Sequence, residues 1–235
     1  MKIKNVVKLV RSYVKTALEW NKKNIKYPVL YIVGGPGIGK STLIESVAQE
    51  LQMYLKVVYL SNVALEQITG LPLNTSEDGS TTWSRPDIIS DLTDEPTILF
   101  FDDAHLVNKI KQEYLFQLLT YRAINKHKIP QQTVMLFAGN RLQDKAGANP
   151  LPAPVVNRFQ FIEMEVTSDE WLSWANGKVS PYITGFIKYK PTCLQSKPLE
   201  NTPFATPRAW DYLSQSLQLI DQTDIDSIKE LVVVS

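Results

Sequence analysis

Eight consecutive residues, Gly34-Gly35-Pro36-Gly37-Ile38-Gly39-Lys40-Ser41, match the pattern G-x-x-x-x-G-K-[ST] without a gap. They stand between a stretch that reads as a buried strand and one that reads as a helix, which is the context this pattern needs to hold phosphate. Glycines let the backbone curl, so that successive N–H groups and the N-terminus of the following helix converge on an anion. Lys40 then neutralises phosphate charge, the Ser41 hydroxyl is a ligand for Mg²⁺, and Thr42 continues the loop into the helix. A glycine-rich turn carrying a chance lysine is the competing explanation. It accounts for neither the strand before the loop nor the helix after it.

The strand is Pro28-Val-Leu-Tyr-Ile-Val33, a continuous β-rich apolar run of the kind buried on both faces of a parallel sheet. Leu43, Val47, Ala48 and Leu51 mark the helix, and residues 56–60 form a second strand, which completes a βαβ unit. Thr97-Ile-Leu-Phe-Phe-Asp102 and Thr133-Val-Met-Leu-Phe-Ala138 read as two further buried strands. Between them lies a helix carrying Leu115, Leu118, Leu119 and Tyr121. A fifth strand runs through residues 159–166. Before the first strand, Val6, Val10, Tyr13, Val14, Ala17 and Leu18 recur at three- and four-residue spacing, as in an amphipathic helix ending near the polar cluster 21–24. Residues 62–94 lack clear periodicity and contain Gly70-Leu-Pro72 and the turn dipeptide Asp78-Gly79, which predicts an inserted hairpin. From Thr167 the pattern changes to short helices interrupted by Pro181, Pro191, Pro198 and Pro203, with Trp171, Trp174, Trp210, Phe186 and Tyr189 as candidates for their core. The fold class is thus α/β, a three-layer sandwich on a five-stranded parallel sheet, with residues 1–166 as the core and 167–235 as a small helical lid.

Composition narrows the chemistry. At 235 residues there is room for one large core and a modest second unit. A single cysteine, Cys193, and two histidines, His105 and His127, leave no Cys/His metal cluster or internal disulfide to build. No apolar run approaches the ~20 residues of a membrane span, and no secretory signal is present, so a cytoplasmic protein without a membrane partner is expected. The net charge of +1 gives no global field for nucleic acid. The charge is uneven, however: Lys2, Lys4, Lys8, Arg11, Lys15, Lys22, Lys23 and Lys26 face a lone Glu19 within the first 27 residues. That segment reads as the solvated side of a helix, with a phosphate-contacting face as the alternative.

The strand Ile98-Leu-Phe-Phe101 ends in Asp102-Asp103, at the carboxyl end where open α/β sheets bind ligands. Beside the glycine-rich loop these read as a Walker B pair, Asp102 holding the Mg²⁺ shell and Asp103 polarising the attacking water. Asn140 follows directly on the next strand, where its amide can orient that water. Arg158, just before the fifth strand, and Arg208, in Thr206-Pro207-Arg208 at a predicted helix start, supply charge to a transition state in which phosphate charge spreads.

With these motifs in this order, the chain resembles the AAA+ ATPases, and within them the MoxR-like group in its compact bacterial and phage versions. The resemblance spans essentially the whole chain and extends to the hairpin Gly70-Leu-Pro72 … Trp83-Ser-Arg-Pro86, to Ala138-Gly139-Asn140 as sensor 1, to Pro154-Val-Val-Asn-Arg158 as the arginine-finger segment, and to Thr206-Pro-Arg208 as sensor 2. It implies binding and hydrolysis of Mg·ATP in a homo-oligomeric ring, usually a hexamer. In that ring Arg158 reaches the γ-phosphate bound to the next subunit, and Arg208 contacts phosphate from the lid. Most Walker B motifs of this superfamily end Asp-Glu, whereas this one ends Asp102-Asp103, which implies tuned or slowed hydrolysis.

The leading expectation is therefore an ATP-driven ring that remodels or activates a protein partner, as MoxR-like ATPases do, often beside a von Willebrand factor A-type protein. The alternative is a nucleic-acid-associated ATP switch, such as a helicase loader or replication factor, favoured by the lysine-rich first helix and by Asp103. A metabolic P-loop kinase would need an acceptor site in place of Asn140, Arg158 and Arg208.

Overall fold

The computed structural model describes residues 1–74, 81–141, 150–196 and 204–218. Its centre is a five-stranded sheet in the order β2-β5-β8-β1-β9, every neighbouring pair parallel. The strands are β1 (Val29–Val33), β2 (Tyr54–Tyr59), β5 (Thr97–Asp102), β8 (Thr133–Gly139) and β9 (Phe159–Glu163). β2 begins two residues earlier than its apolar run suggests and β9 stops at Glu163, short of Val166.

β5 and β8 are buried at every position, as strands covered on both faces must be. Alternation sends Leu30, Ile32, Ile98, Phe100, Val134 and Leu136 into a layer under α1 (Ile3–Lys22) and α2 (Lys40–Glu50). Tyr31, Leu99, Phe101, Met135 and Phe137 face the opposite layer, which α4 (Lys109–Tyr121) covers through Leu115, Leu118 and Leu119. Phe100, Phe101 and Phe137 are fully buried, each worth ~1.5–3 kcal/mol of transfer free energy. Tyr121, the last residue of α4, is 65% exposed because helical spacing carries it off the face formed by Leu115, Leu118 and Leu119.

The helix expected before β1 spans Ile3–Lys22 and buries Val6, Val10, Tyr13, Val14, Ala17 and also Asn21. Asn21 donates from Nδ2 to the Thr133 carbonyl and accepts from Tyr27 Oη, which pins α1 to the start of β8. Lys4, Lys8, Lys15 and Lys22 recur at four- and seven-residue steps and are all exposed, so they form one line along the opposite side of α1.

The insertion after β2 contains a short helix, α3 (Leu65–Thr69), which lacks enough turns to give a periodic signal, and the antiparallel hairpin β3 (Pro72–Asn74) and β4 (Thr81–Trp83). The Asp78-Gly79 turn lies outside the described residues. A second small hairpin, β6 (Ala123–Ile124) and β7 (His127–Lys128), follows α4 and braces the first: His127 Nε2 lies 2.9 Å from the Trp83 carbonyl oxygen, and Asn125 Nδ2 donates to that of Thr69. No apolar alternation announces it.

After the one-turn α5 (Ala153–Val156) and β9, helices α6 (Ser168–Ala175), α7 (Pro181–Tyr189) and α8 (Pro207–Leu217) enclose a separate small core of Trp171, Ala175, Val179, Ile183, Ile187, Leu194 and Leu213. Of the aromatic residues expected there, Trp171 is buried and Trp210 half-buried. Trp174, Phe186 and Tyr189 lie on outward faces, Tyr189 at 80% exposure. None of the described helices is long and apolar enough to cross a membrane.

Candidate active site

The loop from Gly34 to Gly39 leaves the carboxyl end of β1 and enters α2 at Lys40. Its one large apolar side chain, Ile38, is buried in the α2 layer and anchors the loop from below. Gly37 has φ +68°, and a β-carbon there would lie 2.9 Å from Thr206 Oγ1, so the position requires glycine both for its backbone and for the approach of the helical region. The Arg208 backbone N–H donates to the Gly37 carbonyl at 3.2 Å. The N-terminus of α8, capped by the Thr206 hydroxyl accepting from Ala209 N–H, therefore rests on the loop.

Ser41 and the end of β5 meet directly. The Ser41 hydroxyl donates to Asp102 Oδ2 at 2.5 Å, and Asp102 Oδ1 accepts from the Asp103 N–H at 2.9 Å. Asp102 is nearly fully buried, whereas Asp103 is half-exposed and begins the turn 104–106 with φ 54°, in the left-handed region. A hydroxyl and a carboxylate converging beside a phosphate-type loop are the hard oxygen donors that suit Mg²⁺. Thr42 is exposed on α2, away from this contact.

Lys40 is buried and folds back over the loop, donating to the carbonyls of Gly34 (3.0 Å) and Gly35 (2.8 Å) and to Asn140 Oδ1 (2.8 Å). This joins the loop to the end of β8. Asn140 in turn meets a residue that sequence reasoning missed: its backbone N–H donates to His105 Nδ1 at 3.2 Å, and its Nδ2 lies 3.3 Å from His105 Nε2. The imidazole reaches this spot because Gly139 has no side chain. A β-carbon on Gly139 would lie 2.2 Å from Tyr31 Oη and 3.2 Å from His105 Nδ1. Burial, then the nearby Asp102 and Asp103, push the Tyr31 phenol far above the ordinary tyrosine range, so it is neutral at physiological pH. The spacing Asp102 to His105 was visible in the sequence, but nothing in it linked that histidine to Asn140.

Arg141, beside the loop, pairs with Glu163 at 3.1 Å. Arg158 stands apart. Its carbonyl accepts from Val29 N–H, which places it at the amino end of β1, while the loop leaves the carboxyl end. Five strand residues separate the two levels, or ~16 Å at strand rise. Its guanidinium donates to Thr120 Oγ1 and the Pro154 carbonyl and stacks 4.2 Å from the Phe116 ring. The fold thus brings together Lys40, Ser41, Asp102, Asp103 and Asn140, sets Arg208 against the loop, and keeps Arg158 away from its own chain's loop.

A parallel α/β sheet with a glycine-rich loop after its internal strand β1 and a serine–aspartate contact at the end of β5, which lies beyond β8 in the sheet, defines the P-loop nucleotide-binding class. The family model for AAA, the ATPase family associated with various cellular activities, matches residues 30–165, more than half of the chain. The chain belongs to this family and is an ATPase. No curated protein sequence matches it. Among solved structures it is similar to Thermotoga maritima RuvB, a Holliday junction branch migration motor, with TM-score 0.52 and 17% identity over 97% of this chain and 68% of that one. It is also similar to a proline-to-glycine mutant of T. maritima RuvB, with TM-score 0.56 and 19% identity over 97% and 70%. At such identity the likeness is one of fold.

Proposed function

We propose that this AAA ATPase works as a MoxR-like ring motor, a homo-oligomer of the hexameric kind, that spends ATP hydrolysis on remodelling or activating a protein partner. The Ser41–Asp102 contact carries the assignment of the site, because it joins the loop to the carboxylate strand with the donor set that Mg·ATP needs. In this reading the 34–42 loop cradles the phosphates, and Lys40 turns from its carbonyl contacts to the β- and γ-phosphates. Ser41 and Asp102 hold Mg²⁺, which when bound offsets charge on the phosphate oxygens. Asp103 polarises the attacking water and Asn140 orients it. Arg208 approaches phosphate from the helical region, taken as a lid over residues 167–235 on a core of 1–166.

The place of Arg158 at the far end of β1 supports assembly. An arginine ~16 Å from its own loop, by strand rise, serves a transition state only when a neighbouring subunit presents its loop to it. A mixture of Arg158→Ala and Lys40→Ala chains tests this, since mixed interfaces regain one intact site and some hydrolysis should return. An inactive mixture overturns the trans assignment. For the client, the β3–β4 hairpin offers exposed Leu71 and Leu73 beside half-buried Trp83, apolar groups suited to a protein surface. A von Willebrand factor A-type protein is the candidate, and capture with Asp103→Asn in ATP, against Lys40→Ala as the empty control, tests it.

The lysine line on α1 favours a second reading, an ATP switch on nucleic acid. Lys4 to Lys22 extends about 27 Å at helical rise, long enough to follow several phosphates. A steep fall of DNA affinity with salt on a log–log plot would support it, and a flat line would leave the protein client.

A further inference from the structure

Tyr31 is set among phenylalanines. Its ring centroid lies 5.0 Å from that of Phe159, 5.1 Å from Phe161 and 6.3 Å from Phe137, which in turn stacks on Phe101 at 4.5 Å. The residue is only 3% exposed. Another phenylalanine would fill the same space without carrying a hydroxyl out of water, so Oη is the one atom of this cluster that packing does not explain. The strand register gives it a destination. Tyr31 pairs with Phe137 on β8 and Phe137 with Phe101 on β5, so Gly139 and Asp103 stand at one level two residues further on, ~7 Å at strand rise. The hydroxyl climbs to that level, because a β-carbon on Gly139 would collide with it. Other acceptors there are engaged: Asp102 accepts from Ser41 Oγ and from the Asp103 N–H, and His105 Nδ1 accepts from the Asn140 N–H. Within the described residues, the Tyr31 hydroxyl and the half-exposed Asp103 carboxylate make no hydrogen bond, and they are a donor and an acceptor. Burial, then Asp102 and Asp103, keep the phenol protonated, so toward a carboxylate it can only donate.

We propose that Tyr31 is a positioning residue for hydrolysis, its hydroxyl donating to the Asp103 carboxylate in the ATP-loaded site and holding that carboxylate on the attacking water. The contact is made directly or across a bridging water, which transmits nearly the same attraction. A donor on a ring clamped by Phe137, Phe159 and Phe161 has a fixed place, and it lends that place to a carboxylate on a half-exposed turn. The inference rests on the role of Asp103 proposed above.

Tyr31→Phe in the full chain removes one oxygen and keeps the ring, so the core stays filled. Phosphate release at saturating Mg·ATP should show kcat lowered roughly 10- to 100-fold, the scale of a small misplacement. The KM for ATP and the affinity for β,γ-imido-ATP should not change, and the melting temperature should hold or rise, since a buried polar atom without a protein partner is gone. Replacing Tyr31 by 4-aminophenylalanine, which keeps a donor at the same point of the ring, should recover most of the rate. In an Asp103→Asn background, Tyr31→Phe should cost nothing more. A wild-type rate in Tyr31→Phe beside a slow Asp103→Asn overturns the proposal, as does a full multiplication of the two losses. A Tyr31→Phe chain that loses stability and nucleotide affinity along with rate, and is not rescued by the amino analogue, shows a packing role and overturns it as well. A wild-type rate in Asp103→Asn removes the role of Asp103 itself, and with it this inference.

Discussion

Asp103 occupies the left-handed region with φ 54°, where a β-carbon costs roughly 1–2 kcal/mol and where Asp and Asn are the best-tolerated side chains after glycine. This gives a backbone reason for the short carboxylate at a position where the superfamily mostly has Glu. Asp103→Asn keeps that tolerance and removes only the charge. It is expected to hold the melting temperature within about 2 °C while lowering kcat on the order of 100-fold or more, measured by phosphate release and scanning calorimetry. Lys40→Ala should abolish ATP binding in calorimetric titration, and wild-type affinity would defeat the loop assignment. At this scale the loop pattern marked Lys40 and Ser41, the end of an apolar strand marked Asp102, and Asn140 was marked only in combination with them. The sequence could not disclose that Asp103 sits at positive φ, nor that His105 touches Asn140, because both depend on how the 104–106 turn folds back over β8.

Between elements, the decisive contact is the seating of α8 on the phosphate loop. Thr206 caps the helix by accepting from the Ala209 N–H, the Arg208 N–H donates to the Gly37 carbonyl, and Gly37 leaves the space that the threonine fills. Thr206→Ala removes a cap worth about 1 kcal/mol. The melting temperature should fall by roughly 2–4 °C, and ATP affinity should weaken as the helix start loosens from the loop. A loss of stability with unchanged affinity would show that the contact does not couple the two. The cap itself was legible, because Thr-Pro-Arg carries both an N-cap residue and a proline at the first helical position. Which aromatic residues lie inside the small core was not: α7 is short and mostly apolar, and Tyr182, Phe186 and Tyr189 fall on the outward side while Ile183 and Ile187 fall inward. The β6–β7 hairpin was likewise illegible, being two pairs of residues without alternation.

For the whole molecule, the trans role proposed for Arg158 makes activity a property of the assembly in that reading. The rate per subunit is expected to rise with protein concentration and level off as rings form, followed by turnover together with analytical ultracentrifugation. A concentration-independent rate in a demonstrated monomer would contradict this. The lysine line on α1 gives a separate test at the same scale: replacing Lys4, Lys8 and Lys15 by Gln should leave basal hydrolysis intact and, if nucleic acid is the partner, flatten the salt dependence of its binding.

The sequence by itself determined the sheet and the phosphate loop, because buried parallel strands must be continuous apolar runs and a phosphate cradle must be glycine-rich, and both constraints are local. It also determined which residue types stand at the strand ends. Tertiary structure alone decided their relations: that Arg158 lies at the opposite end of β1 from its own loop, that α8 rests on Gly37, and that His105 and Lys40 both reach for Asn140. Those relations depend on strand order and on turns folding back across the sheet, and residues 35 to 171 positions apart in the chain carry no local pattern to announce them.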